Sequence, residues 1–583
     1  MSETLTAPEF SRVPDTPASY DYSALEALRE RLQQLDYRYD PVQLLLGERA
    51  ADAMARDQVV PGLWRIDQLL SDESLSESDH TLALAIGFFL LARTLNRAEV
   101  EALFDYALEA ADTIGLIEEF TADSGETLYR AAYDLRPHAA NDGTELWVSS
   151  DLGAHQRPGV LRKDHVLGIG HASLTLAQIT ERTSVERALD LGTGCGIQTF
   201  HLLDHCQHVT ATDISERALA FTRFNLLLNA PALNIDPQNL EARVSLRLGS
   251  LLEPVAGEYF DLVISNPPFV ITPRRKNESA EDQFTYRDGG MPGDQLVSTL
   301  IEAIPSVLVP GGRAQMLGNW EIVGDSPWDE RPRAWVKAAG AEAWIIQREV
   351  LTPESYAETW LKDASENRDR IAYESTYLDY LNDFASRKVS GIGFGMIWLR
   401  RPAENAPDHS LLQRYEEITY PIAQPIAASL TQAVARHDRL HAMTPQEFLD
   451  SYLVLAEDVT EERHGEPGAE HPQIILLRAG SGLCRTQMLS TEAAGFVSAS
   501  DGELAVVQIL NALAAILNWD VLDDRTREAV DSVVHSAANF TGSVLDADMA
   551  PERALLLEAI AELVEKSFLH FADEDTAQQG AEA

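Results

Sequence analysis

Apolar residues return at helical spacing from Tyr22 to Ala111. Leu25, Leu28, Leu32 and Leu35 share one face, and the runs 82–89 and 100–107 extend the pattern. The longest apolar run, 81–92, is too short to span a bilayer and predicts a buried helix. The period then changes. Leu116-Ile117 and the run 128–133 flank Asp123-Ser124-Gly125-Glu126, a turn signal between two strand-like segments. Helices followed by a hairpin predict a winged-helix-like module.

From Arg187 to about residue 350 the pattern alternates strand and helix, with strands at 188–191, 209–213, 244–248, 260–264 and 312–317 and helices at 215–228 and 294–307. Consecutive strand-helix-strand units imply an α/β fold, a Rossmann-like, doubly wound parallel sheet with ligands at the strands' carboxyl ends. Runs at 343–346 and 393–399 predict a final antiparallel strand pair separated by a helical insert, 356–388.

The expected organisation is a loose lead-in (1–20), an N-terminal helical, winged-helix-like domain (21–150), the α/β core (151–402) and a linker (403–440). A C-terminal α+β domain, read as a second winged helix, follows (441–572), then an acidic tail (573–583). A chain of 583 residues needs several cores, which agrees.

Charge narrows the partners. With 92 acidic against 46 basic residues the net charge is -46, a field that repels a bare phosphate backbone at long range. For the N-terminal module this favours packing against the core over nucleic-acid binding. Cys195, Cys206 and Cys484 show neither disulfide nor metal spacing, and the start Met1-Ser2-Glu3-Thr4 has no signal-peptide character. A cytoplasmic protein without a membrane segment is expected.

The chemistry concentrates at strand ends. Asp190-Leu191-Gly192-Thr193-Gly194-Cys195-Gly196 follows a strand and opens a helix, and its glycines let the backbone approach a ligand closely. The spacing Gly-x-Gly-x-Gly differs from the pyrophosphate fingerprint. Asp213, 21 residues beyond Gly192, ends the next strand and is placed to take both hydroxyls of a ribose. The apolar run 260–264 stops at Asn266-Pro267-Pro268-Phe269, where two prolines forbid further strand and leave carbonyls to face outward. The run 164–174, broken by Gly168 and Gly170, reads as a loop over a ligand.

Glycine loop, acid and Asn-Pro-Pro-Phe in this order resemble the class I S-adenosylmethionine (SAM)-dependent N-methyltransferases, over roughly residues 160–400. Their Asn/Asp-Pro-Pro-aromatic group includes the methyltransferase small domain, release-factor glutamine methyltransferases, and rRNA guanine-N2 and adenine-N6 enzymes. The resemblance implies that Asp190 and the loop Gly192, Thr193, Gly194 and Gly196 contact the methionine part of SAM, Asp213 its ribose and Ile214 the adenine face. Ser250 stands where relatives carry an acid for the adenine amino group, and Asn266 borders cofactor and acceptor alike.

It further implies that Asn266, Pro267, Pro268 and Phe269 form the catalytic clamp. The Asn266 side-chain oxygen and the Pro267 carbonyl would each accept an N–H of a planar amino group, turning its lone pair toward the methyl, while Phe269 stacks on its face. No metal is expected, since His201 and His205, four apart on a helix, lack further ligands.

For the acceptor, the leading expectation is an exocyclic amine of a nucleobase in RNA or DNA, supported by the flanking domains and the basic stretch Thr272-Pro273-Arg274-Arg275-Lys276. The alternatives are a protein glutamine amide, as in release-factor methylation, and a small molecule. The run 286–294 resembles the substrate-side loop of the group and ends at an expected helix N-cap, Asp294.

Overall fold

The computed structural model describes residues 8–140, 143–157, 161–274, 288–363, 370–404, 411–469, 471–519 and 551–574. They divide into two compact units. The first runs to Arg401, less residues 178–182, and adds Tyr415–Glu417; the second holds most of the chain beyond it.

In the first unit, the Tyr22–Gln34 helix begins at Asp21, whose side chain accepts from Ala24 N–H, and buries Leu25, Leu28 and Leu32. The apolar run 81–92 splits into the Glu77–Ala85 helix and a π-turn, Ile86–Leu90, with Phe88 and Phe89 buried. The expected hairpin forms from β1 (Ile117–Thr121) and β2 (Thr127–Ala131), paired antiparallel. A second ribbon, β3 (Asp134–Ala139) with β4 (Glu145–Ser150), was not foreseen. Its strands are largely buried on both faces, so the polar-apolar alternation that marks a half-exposed hairpin is absent.

The central sheet contains β5 (Val185–Leu191), β6 (Cys206–Asp213), β7 (Val244–Leu248), β8 (Phe260–Ser265), β9 (Leu308–Val323), β10 (Glu342–Leu351), β11 (Val389–Arg400) and β12 (Gln413–Glu417). Its order is β12-β10-β11-β9-β8-β5-β6-β7. The strands from β5 to β9 pair parallel, whereas β11 pairs antiparallel with both β9 and β10. This is the expected Rossmann-like, doubly wound arrangement with its closing antiparallel pair. Strand β9 begins before Gly312 and ends beyond Leu317, since Pro310-Gly311-Gly312 bends the chain at its start without ending its pairing. The insert folds as two helices, Pro353–Asp363 and Arg370–Arg387.

The N-terminal helices and the α/β core share one hydrophobic cluster: Phe224, Leu227 and Leu228 of the Glu216–Leu228 helix pack with Leu25, Leu28 and Phe89. Two asparagines on that helix bond the edge of β4. Asn225 exchanges bonds with the Ser149 backbone at 2.8 and 2.9 Å, and Asn229 does the same with Trp147 at 2.9 and 2.7 Å. Each side-chain amide thus pairs with a backbone amide as a neighbouring strand would.

The second unit is α+β. One three-stranded sheet combines β13 (Tyr452–Leu455) with two later strands; another joins β14 (Val459–His464), β15 (Ile474–Ala479) and β16 (Thr486–Leu489). The first is completed by β17 (Asp501–Ala505) and β18 (Leu569–Phe571), on either side of β13. The stretch expected to be a linker, 403–440, is not featureless: it supplies β12 and most of the Ala427–Ala442 helix, whose buried Leu430, Ala433 and Val434 recur at helical spacing. The polar residues between them masked that spacing in the sequence.

Candidate functional site

Sheet order brings the three motifs together. Strand β5 lies between β6 and β8, and Leu191 is level with Thr212 on one side and Ser265 on the other. The glycine loop, Asp213 and Asn266 therefore leave three adjacent strands at one level, on the carboxyl edge where the order reverses. Neighbouring strands stand about 4.8 Å apart, which sets Asp213 and Asn266 roughly 10 Å from each other across the glycine loop.

The loop's geometry follows from its residue types. Gly192, Gly194 and Gly196 all have positive φ, at 78°, 59° and 91°, a conformation that side chains resist. Gly192 and Thr193 N–H both donate to the Thr212 carbonyl at 2.9 Å, tying the loop to β6. Asn225 Nδ2 donates to the Cys195 carbonyl at 2.8 Å, so the helix that bonds β4 also fixes this loop. Burial pushes the Cys195 thiol up to about 12, which removes it as a nucleophile.

Asp190 is buried, and its Oδ2 accepts from Thr193 Oγ1 at 2.7 Å and Thr199 Oγ1 at 2.6 Å. Its Oδ1 is buried with no partner among the described residues. Burial raises its pKa to about 6 against the two hydroxyls. An orphaned carboxylate oxygen in this place fits a ligand's ammonium group.

Asp213 accepts from Ser215 N–H at 2.8 Å through Oδ1 and from Gly194 N–H at 3.0 Å through Oδ2. Burial raises its pKa, with those backbone donors opposing. The next residue, Ile214, leaves 61% of its surface exposed, an apolar platform at the site's rim. Ser250 follows β7 one strand further out, and Gly249 N–H donates to the Asp213 carbonyl at 3.0 Å. Residues present thus fit SAM: a carboxylate for the ammonium, an acid at the second strand end and an apolar face beside it.

Asn266 follows β8 directly, and its Oδ1 is buried without a partner among the described residues. The Pro267 carbonyl already accepts from Phe269 N–H at 2.8 Å, so only its second lone pair is open to a ligand. Phe269 is half-buried, edge-on to Phe394 with centroids 6.4 Å apart, and Phe394 stacks on Tyr356 at 5.7 Å. Tyr356, from the insert, holds the next stretch: its hydroxyl accepts from Ile271 N–H at 2.7 Å and Asn319 Nδ2 at 3.2 Å.

The basic stretch is altered by its surroundings. Arg274 forks onto the buried Asp288, which also accepts from Thr272 Oγ1 and from Gly290 N–H at 2.9 Å. Arg274 is thus an internal brace and not a phosphate ligand; Arg275, Lys276 and residues 286–287 lie outside the described residues. Asp294 does occupy an N-cap position, but its carboxylate takes Glu321 N–H at 2.9 Å and Arg331 at 2.8 and 2.5 Å instead of capping its own helix. His201 packs edge-on against His138, with centroids 5.4 Å apart.

Sequence reasoning missed Asn225, Tyr356 and the pair Asp151–Arg217. Arg217 grips Asp151 at 2.7 and 2.8 Å and the Asp164 carbonyl at 2.7 Å, while Asp151 accepts from Val166 N–H at 2.8 Å. The 161–170 loop is thereby bound to the helix that follows Asp213. Asn225 and Asn229, two amides four apart on an otherwise apolar helix face, were the available signal.

Residues 152–322 match the family Methyltransferase small domain, and residues 34–127 match a Domain of unknown function (DUF7059). The ribosomal protein uL3 glutamine methyltransferase of Bradyrhizobium diazoefficiens is 31% identical over 205 residues, 33% of this chain and 59% of the relative. The release factor glutamine methyltransferase of Geobacter sulfurreducens is 31% identical over 130 residues, 21% of this chain and 42% of the relative. The chain thus spans less than two thirds of either relative's length. A solved methyltransferase from Pyrococcus furiosus aligns at 16% identity, over 43% of this chain and 92% of that chain, with a TM-score of 0.24. SAM is the cofactor that a methyltransferase domain of this class implies.

Proposed function

We propose, on the premise that residues 152–322 are a SAM-dependent N-methyltransferase domain, that the chain methylates the side-chain amide nitrogen of a glutamine in a protein. The nucleobase reading takes second place. The observation that carries this choice is the kinship of the domain with two proteins named as glutamine methyltransferases. Two further facts support it. Arg274, the sharpest base beside the motif, is spent on Asp288, and the net charge of -46 disfavours a phosphate backbone.

The cofactor, when bound, supplies an electrophilic methyl group. This chain's residues then have to hold a weak nucleophile in line with it. Asn266 Oδ1, buried and unpartnered, accepts one N–H of the carboxamide, and the open lone pair of the Pro267 carbonyl takes the other. Methylation would exchange one of the two amide N–H bonds for N–CH3, and the released proton would pass to water. No strong base is needed, and Phe269 offers an apolar wall to the flat amide.

The test adds the purified protein and tritiated SAM to extract of cells lacking it, followed by mass spectrometry of labelled material. Label should be protease-sensitive, resist nuclease and map to a methylated glutamine. Asn266→Ala should lower the rate about 10²–10³-fold while shifting SAM affinity far less. Label removed by nuclease would return the acceptor to nucleic acid.

A further inference from the structure

His437 and His441 lie four residues apart on the Ala427–Ala442 helix, so their imidazoles share one face. Glu565, the last residue of the Pro551–Glu565 helix, meets them: its Oε1 is 3.1 Å from His437 Nδ1 and 3.6 Å from His441 Nε2. One ligand atom from each of the three residues lies within 4.8 Å of the others. The two rings are 4.1 Å apart between centroids, and the three side chains are 7%, 11% and 22% exposed.

These spacings have a simple reading in coordination geometry. Zinc–ligand bonds of about 2.0–2.1 Å at tetrahedral angles place neighbouring ligand atoms about 3.3 Å apart. The observed 3.1 and 3.6 Å bracket that edge. We infer that His437, His441 and Glu565 form a binding site for a zinc-class divalent cation, with the fourth position left to water or a further donor.

The donor set selects the ion. Two imidazoles and one carboxylate suit zinc and its neighbours; without thiolate they suit copper(I) poorly, and with one carboxylate they offer calcium too few oxygens. Arg414 Nη2 donates to the other oxygen of Glu565, Oε2, at 2.9 Å, which turns Oε1 toward the histidines as an outer hydrogen bond does in metal sites. The helix's remaining cations are matched elsewhere: Arg436 to Glu574 at 2.8 Å and Arg439 to Asp573 at 2.7 Å. The ion would join two helices more than a hundred residues apart in the chain and stabilise this unit by binding only its folded form.

The full-length protein, stripped with chelator and dialysed, should take up one zinc per chain in a calorimetric titration, and cobalt(II) should give the strong visible band of a tetrahedral site. His441→Ala and Glu565→Gln should each weaken binding by roughly 100-fold or more and abolish the band. His205→Asn, in the other His-x-x-x-His pair, should change neither. Circular dichroism and SAM affinity report whether each variant folds, and Glu565→Gln keeps shape and hydrogen bonding if His441→Ala does not. Zinc should also raise the melting temperature of the wild type and not of Glu565→Gln. Weak uptake at many sites, or wild-type binding in a folded Glu565→Gln, overturns the inference.

Discussion

At the scale of single residues, the site is built from polar atoms left deliberately short of partners. Asp190 Oδ1 and Asn266 Oδ1 are both buried and unmatched among the described residues, on adjacent strand ends. Such atoms destabilise a fold unless a ligand satisfies them. For Asp190 the sign can be worked out. Its folded pKa of about 6 exceeds the unfolded value near 3.8, so between those values the folded state holds a proton that the unfolded state has released. Its contribution is most favourable below pH 3.8 and is lost as pH rises toward 6, with a cost of roughly 3 kcal/mol above that.

Asp190→Asn cannot ionise. The stability gap between wild type and Asp190→Asn should therefore move in favour of the wild type by on the order of 1 kcal/mol from pH 7.5 to pH 5, measured by urea unfolding of the ligand-free proteins. SAM binding should weaken in the variant. A gap independent of pH would mean that Asp190 is not shifted.

At the scale of elements, the insert between β10 and β11 reaches back to the motif after β8. Tyr356 accepts the buried Ile271 N–H, and Phe394 lies between Tyr356 and Phe269. The insert is thus a support for the Asn266–Phe269 turn. Tyr356→Phe keeps the ring and deletes only the acceptor, leaving the Ile271 N–H unsatisfied. It should lower stability by about 1–3 kcal/mol in urea titration. Turnover should fall further than SAM affinity, because the glycine loop is held by Asn225 and Thr212, and Asp213 by the Gly194 and Ser215 N–H groups, instead. Equal loss of both would show that the insert supports the whole edge.

At the scale of the molecule, the charge is the dominant feature. Many arginines stand in exposed pairs with acids, such as Arg97 with Glu101 and Arg370 with Glu374, and such pairs contribute little. Self-repulsion of a net -46 is the larger effect. Raising salt from about 10 mM, where screening extends some 30 Å, to about 0.5 M should therefore raise the melting temperature. A fall would mean that the ion pairs outweigh the net charge. Among the described residues no helix is long and apolar enough to cross a membrane.

What the sequence by itself determined is local: the strand-to-helix glycine loop, the acid at the next strand's end and the proline stop after β8. These follow from residue types whose backbone preferences act over a few positions, glycine at positive φ and proline without an N–H. The class of chemistry was legible in their order. What only the tertiary structure decided is which groups meet. Arg274 looked like a free base until Asp288, 14 residues on, took its charge. His201 and His205 drew attention as a pair while His437 and His441, spaced alike, found Glu565 only because two distant helices pack together. Spacing along a chain fixes which side chains share a face, but the partner opposite that face is chosen by packing.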